Sequence, residues 1–472
     1  MSASIASDAQ SAVPKPDGQL PFGLKLGWAS GAFGVAILMN GISGLILLFA
    51  ASILQIEPWL AGLVIFLSKM VDVVTDPIVG VWSDRHKGPK GRRRPFMLWG
   101  SIMGAVSFAL IFSAPELGSQ YLTAAYLFLA LCLYAFAYTL YNIPYLAMPA
   151  EMTDSYHERS SIHAYRMVFV SLGAMIASSG VKAALEWLGK TEAQSYAIVG
   201  LACAVLILVS TMIAYFATST ARFTEAGETS TKSGAAQVVD EFNAVKQNKH
   251  FLRLISVKFA QLLGVQVTGA AFAYFFVQSL GRDFNVLALF GIVVSVSTII
   301  FSPLLVRLSK RIGKKNSYYI AAGVNILYAL SWSLASEGEP VWAILLRGVL
   351  VAVAFTGNVV MAMSMLTDII NEDAERSGVR REGAFTALYS FVEKLTGAVG
   401  PLIVGVALSF AGFNNKLPFD VPQGDNVDTA LLMSVSWLPA LFGLIAVWIL
   451  SGYKLTEDDL KSKAIAQDKN EA

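Results

Sequence analysis

The sequence predicts an all-α membrane protein of twelve transmembrane helices in two pseudo-symmetric six-helix halves. Three observations predict it. Of the 472 residues, 55% are hydrophobic and only 14% are charged, where a soluble chain carries about 25% charged residues. Apolar runs long enough to cross a bilayer, about 20 residues, occur twelve times. The pattern of runs and charged loops repeats after the sixth.

The predicted spans are 25–52, 57–84, 94–113, 120–150, 164–188, 194–218, 251–279, 284–308, 316–335, 340–368, 383–411 and 427–452. Spans 25–218 and 251–452 form the two bundles, and the polar stretch 219–250 links them. Residues 1–24 and 453–472 read as polar tails. The N-terminus lacks a basic-then-apolar start, so no cleaved signal peptide is expected. Cys132 and Cys203 fall inside spans and read as small buried residues. They offer neither a disulfide framework nor a metal-ligand spacing.

Loop charge gives the orientation. Arg85, Lys87, Lys90, Arg92, Arg93 and Arg94 follow span 2, and Arg307, Lys310, Arg311, Lys314 and Lys315 follow span 8. The opposite connections hold few basic residues: Lys190, Arg282 and Lys416. The positive-inside rule places the first set, and with twelve spans both termini, in the cytoplasm. The expected setting is the plasma membrane of a bacterium, with the bilayer and a small-molecule substrate as partners. The basic loops need no nucleic acid to explain them, and a monomer is expected.

The repeat is visible in detail. Met148-Pro-Ala-Glu-Met-Thr-Asp154 and Glu158-Arg159-Ser160 follow span 4, while Met365-Leu-Thr-Asp368 and Glu375-Arg376-Ser377 follow span 10. Two parallel six-helix halves around a central cavity is the major facilitator plan, with ligand sites near the midplane between the halves.

Charged residues inside the spans carry the chemistry. Asp72 and Asp76 lie four residues apart in span 2, with Lys69 one turn earlier, so all three share a helix face. A charge near the bilayer centre costs at least about 2.5–3.5 kcal/mol, so that face should look into a protein cavity. Pro77 leaves the Val73 carbonyl without its helical partner. With Thr75 this makes an all-oxygen pocket, which suits a hard cation. Repulsion between the two carboxylates raises one pKa, so a proton suits the pocket too. Lys69 neutralising one acid is the structural alternative.

Span 4 carries Tyr138, Thr139, Tyr141, Asn142, Pro144 and Tyr145. The phenols and the amide suit a sugar ring, although aromatics in membrane helices also serve packing. Glu393 and Lys394 lie deep in span 11 and point about 100° apart. A midplane lysine needs an anionic partner, and Asp72 and Asp76 are the evident ones. Arg166 in span 5 and Arg347 in span 10 suit bidentate contact with hydroxyl pairs or carboxylates. Lys182 and Lys258 are weaker candidates because both have stems long enough to snorkel, and His163 reads as structural. Asp84, Arg92, Arg94 and Arg159 flank the cytoplasmic ends of spans and read as gating residues, whose pairs break and form as the halves rock.

The pattern Asp72-x-x-x-Asp76-Pro77-x-x-Gly80-x-x-x-Asp84, followed by Gly91-Arg92-x-Arg94-Pro95, resembles the glycoside–pentoside–hexuronide:cation symporters, which include the melibiose permeases. So does Asn142-Ile-Pro144-Tyr145, followed by Met152-Thr153-Asp154, Glu158-Arg159 and Tyr165-Arg166. The similarity runs across all twelve spans. It implies that Asp72 and Asp76, with Thr75 and Thr139 beside them, bind the coupling Na⁺ or H⁺, and that Lys394 and Arg166 match the family's helix-11 lysine and helix-5 arginine. The galactoside-holding acids of melibiose permeases are matched by Ala36 and Asn142, and an aromatic by Leu146, so the resemblance keeps the cation machinery and not the galactoside clamp.

The expected function is cation-coupled symport of a sugar, glycoside or uronide, with no cofactor beyond the coupling ion. The alternatives are a symporter of an amphiphile such as a lysolipid (the family's animal relatives carry lysophospholipids) or of an organic anion, and a proton-driven exporter. No P-loop, His-rich metal motif or Ser/His/Asp arrangement points to an enzyme. Two halves around a charged, plugged cavity suit alternating access better than a channel.

Overall fold

The computed structural model describes residues 20–453, apart from 87, 89–90, 116, 154–155, 222–244 and 378–380. The side chains of residues 81, 84, 85, 150, 156, 157, 159 and 160 also lie outside the described set. Two residues read as gating, Asp84 and Arg159, are among these, as are both tails and most of the predicted linker.

Among the described residues there is no strand, and the long helical segments number twelve. They are α1 (22–53), α2 (Pro58–Arg85), α3 (Arg94–Phe112), α4 (Gln120–Met152), α5 (156–188), α6 (Ala193–Thr220), α7 (Lys249–Ser279), α8 (Phe284–Ile312), α9 (314–334), α10 (Val341–Ser377), α11 (Glu382–Phe410) and α12 (Asp425–Ser451). Ten of these are long and apolar enough to cross a membrane by composition alone. The other two, α2 and α9, carry Lys69, Asp72 and Asp76 or begin on Lys314 and Lys315, which dilutes their apolar character. The centres fall where the apolar runs predict. The ends differ most at α5 and α10, which continue into polar sequence at 156–160 and 369–377. Hydropathy marks where lipid stops; a helix runs on until its capping chemistry or its packing ends it.

Local sequence explains the entries and breaks. The Asn248 side chain accepts from the His250 and Phe251 amides and starts α7, and Asp283 accepts from Val286 to start α8. Gly313, at φ 82°, makes the tight turn between α8 and α9. In α1 the helix breaks at residues 43–45, where Gly44 takes φ 99°, a conformation few other residues hold without strain. Five-residue π-helical turns end α1 and α7 and interrupt α5 and α12. Such turns frequently sit beside functional sites.

Packing follows the repeat. The contacts α1 with α5, α1 with α6, α2 with α4, α3 with α4 and α3 with α6 recur in the second half at an offset of six helices. The halves meet along two seams, α2 with α11 and α5 with α8. Large apolar side chains such as Leu129, Leu201, Phe216, Leu327 and Trp448 stay exposed, as expected of surfaces that face lipid.

The seams close at the end remote from the basic loops. A Cβ on Gly62 would lie 2.9 Å from the Pro401 carbonyl oxygen, and one on Gly405 would overlap the Pro58 carbonyl. Trp59 N donates to Ser409 Oγ at 3.0 Å, and Asn415 Nδ2 to the Gln55 carbonyl at 2.6 Å. Glu186 Oε2 accepts from Phe284 N at 2.9 Å, joining α5 to the start of α8. At the basic end, the pairs seen among the described residues stay within one half. Arg92 and Arg93 hold Glu151, Lys25 holds Glu158, Lys314 holds Asp368, and Arg381 holds Asp373.

Candidate functional site

The centre of the molecule holds a charge cluster built from three helices. Four-residue spacing on α2 turns Asp72 and Asp76 to one side, where α4 presents Thr139 and α11 presents Lys394. Thr139 Oγ1 lies 3.0 Å from Asp72 Oδ1 and 2.7 Å from Asp76 Oδ1. On the other side of the carboxylates, Lys394 Nζ lies 3.2 Å from Asp72 Oδ2 and pairs with Asp76 Oδ2. Asp72 is 4% exposed and Thr139 fully buried.

Two carboxylates sharing one hydroxyl repel strongly at this depth, since unit charges 4 Å apart interact by about 4 kcal/mol even at an effective dielectric of 20. The Lys394 ammonium relieves that repulsion, and it comes from the other half of the molecule. The oxygens of Asp72, Asp76 and Thr139 fit a small hard cation or a proton. Any cation placed there meets the field of Lys394, so ion occupancy and the α2–α11 seam are electrostatically linked.

Thr75 sits differently. Its Oγ1 donates to the Asp72 backbone carbonyl at 3.2 Å, within its own helix. Among the described residues Lys69 makes no ion pair with either acid: its Nζ stands 5.9 Å from the centroid of the Tyr134 ring and borders a small chamber with Ser68 and Gln266.

Beside the cluster, α4 and α5 gather the aromatic candidates. Asn142 Nδ2 donates to the Tyr138 hydroxyl at 3.2 Å, and Arg166 lies near the Tyr145 phenol. Tyr138 is within electrostatic reach of Asp72, Asp76, Arg166 and Glu393. Tyr145 is also structural: its ring stacks on Trp28 with centroids 4.6 Å apart, and its carbonyl accepts from Trp28 Nε1.

The main cavity encloses about 470 Å³ and opens mostly into the C-terminal half. That volume lies within the usual range for small-molecule sites. Asn40, Ser43 and Gly44 reach it from the break in α1, and Ala177, Ser178 and Lys182 from the π-turn of α5 and just beyond it. Phe272, Phe290, Tyr328 and Phe355 form much of the apolar wall. Polar groups converge on it: Gln261 of α7, Asn325 of α9, Asn358 of α10, and the pair Lys258–Glu393, closed at 2.7 Å with Lys258 over the Tyr389 ring.

Placement departs from the sequence reading at several residues. None of Asn142, Tyr138, Tyr145, Arg166, Lys394 and Arg347 is in this cavity wall. Arg347 lies outside it altogether. Its guanidinium binds Glu339 Oε2 at 2.7 Å and the Ser331 carbonyl at 3.0 Å, and it stacks over Trp332. Its distance from the helix start, only six residues, explains this: it sits near an end rather than at mid-depth. Arg92 pairs with Glu151 at 2.6 Å, and Arg94 lies over the Tyr215 ring and donates to the Tyr215 carbonyl at 3.1 Å. Both contacts brace the first half internally and do not cross to the second. Ala36 is buried where α1 meets Gly173 of α5.

The sequence reading missed the amides Gln261, Asn325 and Asn358 and demoted Lys182 and Lys258. A neutral amide in an apolar run leaves little trace, and only the assembled bundle brings these five residues, from four helices, to one cavity.

Comparison with known proteins completes the picture. A family model described as MFS/sugar transport protein matches residues 27–457. A putative glycoside/cation symporter of Escherichia coli (strain K12) is 24% identical, with 95% of each chain covered. The isoprimeverose transporter of Lactiplantibacillus pentosus is 24% identical, covering 99% of this chain and 95% of its own. The crystal structure of a D-xylose–proton symporter superposes with a TM-score of 0.64 at 15% identity, covering 92% of this chain and 98% of that one, and so shares the fold. The chain is a multi-pass membrane transporter rather than an enzyme, and it belongs to the MFS/sugar transport family, the glycoside–pentoside–hexuronide symporter branch of the major facilitator superfamily.

Proposed function

We propose that this protein imports a glycoside across a bacterial inner membrane in symport with Na⁺ or H⁺, by alternating access. The observation that carries the reading is the seating of Lys394, from one half, between Asp72 and Asp76 of the other, with Thr139 bridging both acids. An arriving cation and the lysine compete for the same carboxylates, so the ion changes how the halves hold together. A substrate bound between the halves feels that change, and the coupling is reciprocal. The positive-inside orientation makes the observed state inward-facing, because the seams are sealed at the end away from the basic loops. The glycoside and isoprimeverose names of its relatives support a sugar-bearing substrate.

The test is uptake of radiolabelled glycosides into proteoliposomes under an imposed Na⁺ or pH gradient. Asp72→Asn and Asp76→Asn each remove half of the carboxylate pair. Gradient-driven accumulation should fall by ~100-fold or more, the scale of breaking a buried charge pair, about 3–5 kcal/mol. Gradient-stimulated uptake that survives in both variants removes the proposal.

A further inference from the structure

We propose that the cavity is built for a glycoside bearing a single anionic group, a carboxylate or a sulfonate, which pairs with Lys182. This rests on the symporter reading and adds the charge of the substrate.

The central carboxylates each already have a lysine beside them. Lys394 answers Asp72 and Asp76, and Lys258 answers Glu393. Lys182 stands on the cavity wall one turn after Ser178, and among the described residues no carboxylate pairs with it. It does not snorkel to lipid, because its side chain borders the enclosed space. The ionised side chains of the cavity wall, Lys182, Lys258 and Glu393, therefore sum to one positive charge. An ammonium left alone inside a membrane protein costs several kcal/mol unless something pairs with it. The neighbouring groups on the same cavity offer hydroxyls and a carbonyl, which soften that cost and do not cancel the charge. A ligand anion cancels it.

The other wall fits the remainder of a glycoside. Gln261 and Asn358 are each 7% exposed. Gln261 Nε2 and Asn358 Oδ1 have no hydrogen-bond partner within the protein. Both atoms are buried while their side chains line the cavity, so turning either amide would offer a donor or an acceptor to a sugar hydroxyl. An unmade bond at a buried polar atom is costly, which favours that turn when a ligand is present. The faces of Phe272, Phe290 and Phe355 supply the apolar surface against which a pyranose ring packs.

The experiment compares three probes on the purified full-length protein with Na⁺ or at acidic pH: methyl β-D-glucoside, methyl β-D-glucuronide and methyl 6-deoxy-6-sulfo-D-glucoside. Thermal-shift titration gives an apparent affinity for each. The native chain should bind one of the acidic probes at least ~10-fold more tightly than the neutral one, and which of them it favours separates carboxylate from sulfonate. Lys182→Gln should lose that advantage while keeping the neutral response, which also shows that the variant is folded. Lys182→Arg should retain it. Equal binding of neutral and acidic probes by the native chain, or a preference that persists in Lys182→Gln, overturns the inference and leaves the symporter reading standing. No response to any of the three probes overturns both.

Discussion

Glu393 and Lys394 are neighbours on one helix, yet their ion pairs belong to different parts of the machine. Lys394 reaches out of its half and binds two acids of the other, one of them, Asp72, buried and the other, Asp76, a third exposed. Glu393 turns to Lys258 of its own half, and its side chain keeps 53% of its exposure. A pair that spans the seam changes whenever the halves move. A pair inside one half travels as a rigid unit and can only shape the cavity. The difference teaches that the charges to watch in a rocking transporter are those whose partners lie across the axis of motion, whatever their strength.

The sharpest way to break this comparison is to remove each lysine in turn. Lys394→Gln leaves two adjacent carboxylates without a counter-ion, and the melting temperature should fall by an amount equivalent to about 3–5 kcal/mol at neutral pH, recovering on acidification. Lys258→Gln leaves a carboxylate that water can reach, and the loss should be about 0–1 kcal/mol. Equal losses in a calorimetric scan would erase the distinction.

A second contrast compares hydroxyls. Thr139 touches both acids, while Thr75 bonds its own helix. Thr139→Val should raise the ion concentration for half-maximal stimulation ~10-fold, the equivalent of a hydrogen bond to charged partners, about 1.5 kcal/mol. Thr75→Val should change it less than about two-fold, and a reversed order in uptake titrations would refute the assignment.

The smallest effect lies at the basic end. The Lys25 ammonium, bonded at 2.7 Å, holds the Glu158 carboxyl below the usual range. A carboxyl with a depressed folded-state pKa adds stability above its unfolded value, near ~4.3, and loses it as pH falls through the folded one. Glu158→Gln should therefore flatten the acid limb of a melting-temperature profile by no more than about 1 kcal/mol equivalent. It should leave ion stimulation unchanged, because this pair stays within one half. A shift in ion stimulation would show that contacts inside a half also report on coupling.

The same contrast explains what was legible in the sequence. Twelve apolar runs are composition, and composition sets the span positions directly. Asp72, Asp76 and Lys394 stand out because charge in an apolar run is costly, and α2 and α11 bring the three together. Thr139 offers a hydroxyl in span 4, and only the family resemblance assigned it to the cation. Arg347 misleads because an apolar run records that a residue is in a span and not how deep or which way it faces. Gln261, Asn325 and Asn358 carry no charge to announce them. Glu151 went unnoticed as the anchor of Arg92 and Arg93 because pairing between helix ends is decided by how α3 and α4 are laid side by side.

The closed mouth of the molecule is sealed by main chain lying on main chain at Gly62 and Gly405. The halves part there by giving up a few hydrogen bonds, and the fit depends on two hydrogen atoms standing where other residues carry carbon. A leucine at either place becomes a doorstop. Such a protein would stay ajar toward the outside, and it offers a direct means of trapping the opposite half of the transport cycle.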